Sequence, residues 1–248
     1  MPRFFIPTGS VGIRDDGTKT IMICGEDASH ITRSLRMKPG ETVECCDMSR
    51  REYVCTVRET GETVFLDVVS EQENSTEPPY TAVLYQALAK GDKFDTIIQK
   101  AVECGASKIV PVLSERCVVR LDKKGAAKKA ERWQRIAHEA AKQCGRGIIP
   151  EIGELLTYKE AVAEASKADI PLFCYEGERS TTLSEALGDK AKNSTVSIIV
   201  GSEGGFSADE AKFAHDGGMI SVGLGKRILR CETASSFALA CICYAFEL

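Results

Sequence analysis

Up to residue 72 the apolar positions come in short runs. Residues 20–24, 41–46, 53–59 and 64–69 each gather Val, Ile, Leu, Tyr or Cys, and glycines, aspartates and other charged residues separate them. This is the spacing of short strands joined by turns, so a small sheet or barrel is expected. The stretch that follows, residues 71–79 (EQENSTEPP), is polar and ends in two prolines. Its composition marks a linker and a domain boundary.

Beyond residue 80 the period changes. Residues 81–88 read as a strand, and residues 93–104 as a helix with Phe94, Ile97, Ile98 and Ala101 on one face. Residues 108–113 return to a strand pattern. A long amphipathic helix follows over 126–146, where Ala130, Trp133, Ile136, Ala137, Ala140 and Cys144 recur at three- and four-residue steps. Next come a helix at 158–166, strands at 170–175 and 196–200, a helix at 208–216 and a strand at 219–222. The last helix, 233–247, is apolar nearly all round, so burial is expected, partly against a second subunit. Alternating strands and helices imply an α/β fold, with a mainly parallel sheet and helices on both faces.

Composition adds three restrictions. At 248 residues, with 43% hydrophobic and 27% charged, the chain has room for one large α/β domain or for a small domain joined to a larger one. The longest apolar stretch, 237–246, falls short of the ~20 residues a bilayer crossing needs, and no signal peptide is read at the start. A cytoplasmic protein is expected. The eleven cysteines include no Cys-x-x-Cys, and His30, His138 and His215 are isolated. Reduced cysteines and no metal site are therefore expected.

The net charge of −4 hides a strong asymmetry. Residues 1–76 carry 9 basic and 13 acidic side chains, residues 77–150 carry 14 and 8, and residues 151–248 carry 9 and 15. Ten of the basic residues fall within 116–146, against three acidic ones. Such a patch can hold phosphates whatever the global charge, because screening confines each field to about 8–10 Å. A solvated lysine-rich helix explains the same charges equally well.

Two segments carry candidate chemistry. In residues 198–210 (IIVGSEGGFSADE) an apolar strand runs into a turn with three glycines and then into a helix. Ser207 and Glu210 form an S-x-x-E capping box, which specifies the helix start. The glycines let a ligand approach the main chain closely, at the strand end where parallel sheets bind small molecules. A tight connection without a ligand fits this segment too. The spacing is not G-x-G-x-x-G and no Gly-Lys-Ser/Thr follows, which argues against a dinucleotide or P-loop reading. In residues 221–234 (SVGLGKRILRCETA) a second glycine-bearing strand end carries Lys226, Arg227 and Arg230, then Glu232. A surface Arg–Glu pair is the plainer reading there. If the two strands are neighbours, both turns face one ligand.

The runs GSEGGFSADE and LGKRILRCETA resemble the signature of the bacterial 16S rRNA (uracil-N3)-methyltransferase family, a member of the SPOUT class of trefoil-knotted methyltransferases. The resemblance covers nearly the whole chain. MPRFF at 1–5, HITRSLR at 30–36, KGDK at 90–93, IIQK at 97–100, SER at 114–116, RW at 132–133 and EAAKQCGR at 139–146 follow the family's order. Ser202 departs from the family's usual proline and Ser34 from its usual valine.

The resemblance implies a PUA-like β-barrel RNA-binding domain at 1–72, a linker at 73–80 and a knotted SPOUT domain at 81–248. It implies S-adenosyl-L-methionine as cofactor, in a pocket made by three loops. By position these supply Phe173, Tyr175 and Glu176; Val200, Gly201, Glu203, Gly204 and Gly205; and Val222, Leu224, Gly225, Ile228 and Leu229. The product would be N3-methyluridine in 16S rRNA of the small ribosomal subunit. Arg230 is the candidate donor to charge developing on the base, with Glu232 or Glu203 as the base that takes the imide proton. Arg3, His30, Arg33 and Arg36 are candidates to hold RNA phosphates from the small domain, and Lys90, Lys93, Arg116, Lys142 and Arg146 from the large one. A homodimer is implied, with neither membrane nor DNA as partner. Two rivals stand beside this reading: an oxidoreductase using NAD at the 201–205 turn, and a catalytically silent RNA-binding or assembly factor. Binding of S-adenosylhomocysteine against NAD separates the first, and donor that is never consumed marks the second.

Overall fold

Period-two burial builds the first sheet. On β5 (Arg51–Glu59) Tyr53, Cys55 and Val57 point inward, and on β6 (Val64–Glu73) Val64 and Leu66 do so. With β1 (Arg3–Phe5), β2 (Val11–Ile13), β3 (Lys19–Ile23) and β4 (Thr42–Cys46) they form a six-stranded sheet of order β1-β4-β5-β6-β3-β2. Only the β1–β4 pairing is parallel. Between β3 and β4 the chain makes a short helix, α1 (Gly25–Ser29), and a π-helical turn (His30–Ser34) that drops Ala28 and Ile31 onto the core. Phe4, Ile21, Val43, Cys55 and Leu66 complete that core.

The computed structural model describes residues 1–188 and 193–248. Its contacts divide the chain into two units, Met1–Glu77 with Ala141–Ile149, and Pro78–Ala140 with Pro150–Leu248. The stretch 141–149 thus belongs with the small unit, although the linear pattern places it inside the large one.

The second sheet is parallel throughout. It contains β7 (Thr81–Ala87), β8 (Ala106–Leu113), β9 (Glu151–Ile152), β10 (Leu156–Thr157), β11 (Ile170–Cys174), β12 (Thr195–Val200) and β13 (Ile220–Val222). The order is β10-β8-β7-β12-β11-β13, with β9 also pairing to β8. Every residue of β11 and all but the first of β12 are buried, as strands covered on both faces must be. Helices α2 (Lys93–Glu103), α3 (Lys123–Cys144), α4 (Tyr158–Ala165), α5 (Leu183–Leu187), α6 (Ala208–Asp216) and α7 (Cys231–Phe246) connect and cover them. Tyr85, Val110, Phe173 and Ile199 pack with Tyr158, Ala161 and Val162 of α4 and Ala214 of α6. The alternate residues Leu84, Ile109, Leu172 and Ile198 are equally buried on the opposite side. There α7 lies on α2 and on β7 and β12.

The long expected elements match the observed ones to within a few residues. α3 stops at Cys144 because Gly145 takes φ +79°, the left-handed turn that ends helices. The elements without a sequence signature, β1, β2, α1, β9, β10 and α5, are all five residues or shorter. β6 continues to Glu73, into the polar stretch read as linker. Among the described residues no helix is long and apolar enough to cross a membrane.

Candidate functional site

Three strand ends of the second sheet meet at one edge. β12 and β13, whose adjacency was the condition for a shared ligand, are not neighbours; β11 runs between them. The turns still share a ligand space because the loop after β11 lies among them. Tyr175 N–H donates to the Val222 carbonyl at 3.1 Å, and Gly223 N–H to the Thr181 carbonyl at 3.0 Å. Together the loops enclose a cavity of about 370 Å³, within the usual range for small-molecule sites. Its walls mix Val200, Phe206, Leu224, Ile228, Leu229 and Ala234 with Lys93, Glu176, Glu178, Arg179, Glu203, Arg227 and Arg230.

The glycine turn is held from several sides. The capping box forms as its sequence requires: Ser207 Oγ accepts from Glu210 N–H at 3.2 Å, and the Glu210 carboxylate accepts from Ser207 N–H at 2.9 Å. Arg116 donates to the Gly204 carbonyl at 3.1 Å. Gly205 takes φ +62°, and a Cβ there would lie 3.2 Å from a Glu176 carboxylate oxygen. At Gly223 a Cβ would come within 2.7 Å of the Glu178 carbonyl oxygen. The cavity exists in this form only because these positions lack side chains.

Its floor is charged. Glu203 accepts from Lys93 Nζ at 2.9 Å and from Lys90 N–H at 3.1 Å. Burial pushes the Glu203 carboxyl up, but these hydrogen bonds outweigh it and hold the group below its ordinary value of 4.5. Lys93 is raised in turn by the Glu203 hydrogen bond, so it stays an ammonium. Glu232, in the first turn of α7, is also held low, first by its own backbone N–H, with lesser help from Cys231, Lys93 and Arg230. Two thiols, Cys174 and Cys231, line the wall. Burial pushes both up to about 12, and the bond to Glu232 adds to the shift of Cys231. Neither is a thiolate at neutral pH, so neither is an effective nucleophile.

Most of the residues expected around a ligand converge. Tyr175, Glu176, Val200, Gly201, Glu203, Gly205, Leu224, Gly225, Ile228 and Leu229 line the cavity, with Arg230 at the start of α7. Three do not. Phe173 is fully buried one residue too early on β11, its ring 4.6 Å from that of Phe206. Val222 is buried within β13, and Gly204 backs onto Arg116. Glu232 stands just behind the wall, next to Cys231. Cys174, Ser202, Gly223 and Arg227 fall within the three expected loops without having been singled out, and the sequence reading missed Glu178, Arg179, Phe206, Cys231 and Ala234. Ser202, Phe206, Gly223, Arg227, Cys231 and Ala234 lie inside the two motifs and were within reach; Glu178 and Arg179 follow β11 with no local pattern to flag them.

The cations assigned to phosphates divide differently. Arg3 is buried between Glu44 and Glu52, and Arg146 is buried against Glu77 at 2.7 Å. Lys142 pairs with Asp27 at 3.0 Å and covers the Phe4 ring. These three side chains are engaged in ion pairs within the first unit, which the sequence pattern did not anticipate. Lys93 belongs to the cavity, and Arg116 braces the glycine turn. His30, Arg33, Arg36 and Lys90 remain exposed.

Comparison with known proteins agrees with this architecture. Residues 76–243 match the model of an RNA methyltransferase domain, and residues 23–69 that of an RNA methyltransferase PUA domain. The chain is 34% identical to ribosomal RNA small subunit methyltransferase E of Bacillus subtilis, over 100% of this chain and 98% of the relative. It resembles the crystal structure of ribosomal RNA small subunit methyltransferase E from Neisseria gonorrhoeae bound to S-adenosyl methionine. There the TM-score is 0.83 at 30% identity, covering 99% of this chain and 98% of the other. A Legionella pneumophila protein in complex with the same cofactor gives a TM-score of 0.86 at 29% identity, with the same coverage.

Proposed function

The chain belongs to the RNA methyltransferase family, as a PUA-like unit and a SPOUT-type methyltransferase domain, and on that premise we propose that it methylates N3 of one uridine in 16S rRNA of the small ribosomal subunit. The observation that carries this reading is the cavity where three strand-end loops bring Arg230, Glu203 and Lys93 to one ligand space.

The cavity suits S-adenosyl-L-methionine, the cofactor present in the related crystal structures. Its apolar walls from Val200, Leu224, Ile228 and Leu229 suit an adenine ring, and the glycine turns offer main-chain groups at close approach. Glu176 and Glu178 suit the cofactor's ammonium. Bound there, the cofactor supplies an activated methyl group on its sulfonium.

The chain's own residues have three tasks. They hold the uridine in line with the methyl, which is a matter of positioning. Arg230 donates to the base oxygens as negative charge develops on them. Glu203, which lines the cavity, or Glu232, just behind its wall, takes the N3 proton while that nitrogen gains its methyl. One oxygen of Glu203 is taken by Lys90 and Lys93, and one oxygen of Glu232 accepts from Cys231 Sγ at 3.1 Å, so each carboxylate keeps a second oxygen.

A base inside a duplex cannot enter a cavity walled on three sides, so the target is unpaired or flipped out. His30, Arg33 and Arg36 on the first unit, and separately Lys90 on the second, hold phosphates of the RNA. A homodimer is part of the proposal. Phe237 and Tyr244, one heptad apart on α7, are 41% and 74% exposed and suit a second copy.

The test is transfer of labelled methyl to small subunits from a strain lacking this protein, followed by nucleoside analysis. Label recovered as N3-methyluridine supports the reading. Label on another atom, or none, ends it.

A further inference from the structure

Gln86 lies on β7, in the middle of the second sheet, and is completely buried. A polar side chain there costs stability unless its hydrogen bonds are made. Its neighbours in sequence, Tyr85 and Ala87, are packed as apolar residues, and a methionine would satisfy the strand equally well. The amide is used on something other than the sheet. Nε2 donates to the carbonyls of Ala87 at 3.0 Å, Gly201 at 3.1 Å and Val200 at 3.5 Å. Oε1 is buried and, among the described residues, has no hydrogen-bond partner.

The place of these acceptors gives the bonds their meaning. The ladder between β7 and β12 ends with the pair Val200 and Gln86. Beyond it the Gly201 carbonyl has no strand opposite, and Gln86 supplies the missing donor. Across a trans peptide the Ser202 N–H lies opposite the Gly201 oxygen, so anchoring one fixes the direction of the other. Gly201 and Ser202 both line the cavity. The unsatisfied Oε1 is the cost of this arrangement, since turning the amide over would face an oxygen against three carbonyls.

We propose that Gln86 is a positioning residue for the methyl donor: from beneath the sheet it sets the peptides at 200–202 in the orientation that binds the cofactor. The inference rests on the cavity being the donor site. It acts through the loop and touches neither cofactor nor RNA, so it governs donor affinity and leaves the chemical step alone.

Calorimetric titration of the full chain with S-adenosylhomocysteine tests it. Gln86→Met is expected to bind on the order of tenfold more weakly than wild type, the loss of about one buried hydrogen-bond set. The KM for donor rises by the same factor, while kcat at saturating donor and the KM for RNA stay within about twofold. A folded Gln86→Met protein with wild-type affinity overturns the inference. Should that variant fail to fold, hydrogen exchange on the wild-type chain decides. Amides of 200–205 that exchange slowly before ligand is added support a pre-set loop, and fast exchange that slows only with ligand refutes it. A wild-type chain that binds no S-adenosylhomocysteine refutes the donor site itself, a result distinct from either.

Discussion

Glu77 grips Arg146 through both carboxylate oxygens, at 3.2 and 2.7 Å, across 69 residues of sequence. One of those oxygens also accepts from the N–H groups of Gly147 and Ile148, at 2.9 and 3.0 Å. Both side chains are at most 5% exposed. Removing Glu77 takes away a bidentate partner of the buried guanidinium and the acceptor of two buried backbone N–H groups. Glu77→Ala is therefore expected to lower the unfolding free energy by about 3–5 kcal/mol, read from urea titration followed by circular dichroism. A loss below about 1 kcal/mol, as for an exposed pair, would contradict a buried latch.

The same arithmetic of charge sets the pH response of the cavity. Glu203 and Glu232 are both held below 4.5. A carboxyl depressed in the folded state adds stability that is complete above its unfolded value, about 4.3, and is lost as pH falls through the folded value. Neither group should titrate between about pH 6 and 8, so methyl transfer should show no carboxylate step there. Lys93→Met removes a cation from both. The low-pH break in donor binding should then move up toward the ordinary value of 4.5. An unmoved break would mean that Lys93 does not hold Glu203.

Arg230 enters the cavity from the N-terminal boundary of α7. Arg230→Ala should lower kcat by about 10²–10³, the usual result of losing one donor to developing charge. Affinity for S-adenosylhomocysteine should change far less. Normal methylation by this variant would remove Arg230 from the mechanism.

RNA and donor should differ in their response to salt. Contacts from Arg33, Arg36, His30 and Lys90 release counterions, so RNA affinity should fall steeply as log salt rises, while donor affinity stays nearly level. Filter binding and calorimetry over the same salt series give the two slopes. Equal slopes would refute the separation of phosphate contacts from the donor cavity.

Much of the second unit could be read before any coordinates. The face Phe94, Ile97, Ile98 and Ala101 is buried as its spacing required, and the Ser207–Glu210 box caps α6. Both signals are local, so the sequence carries them whole. The fate of the cations is different. Arg3 finds Glu44 and Glu52, and Lys142 finds Asp27 115 residues away. Nothing near an arginine in sequence says whether a carboxylate awaits it across the fold. Gln86 was passed over for a related reason: one amide in an apolar run reads as an imperfection until the Gly201 carbonyl that accepts from it is seen.

The assignment of residues 141–149 to the first unit has a biochemical corollary. Ser75 and Thr76 are exposed, and a protease that nicks the backbone between them leaves an N-terminal fragment still bonded to the distal one. Asn74 reaches the Gly145 carbonyl at 3.1 Å, and Cys46 the Gly147 carbonyl at 3.2 Å. The two fragments should elute from a sizing column as one species and part only in denaturant.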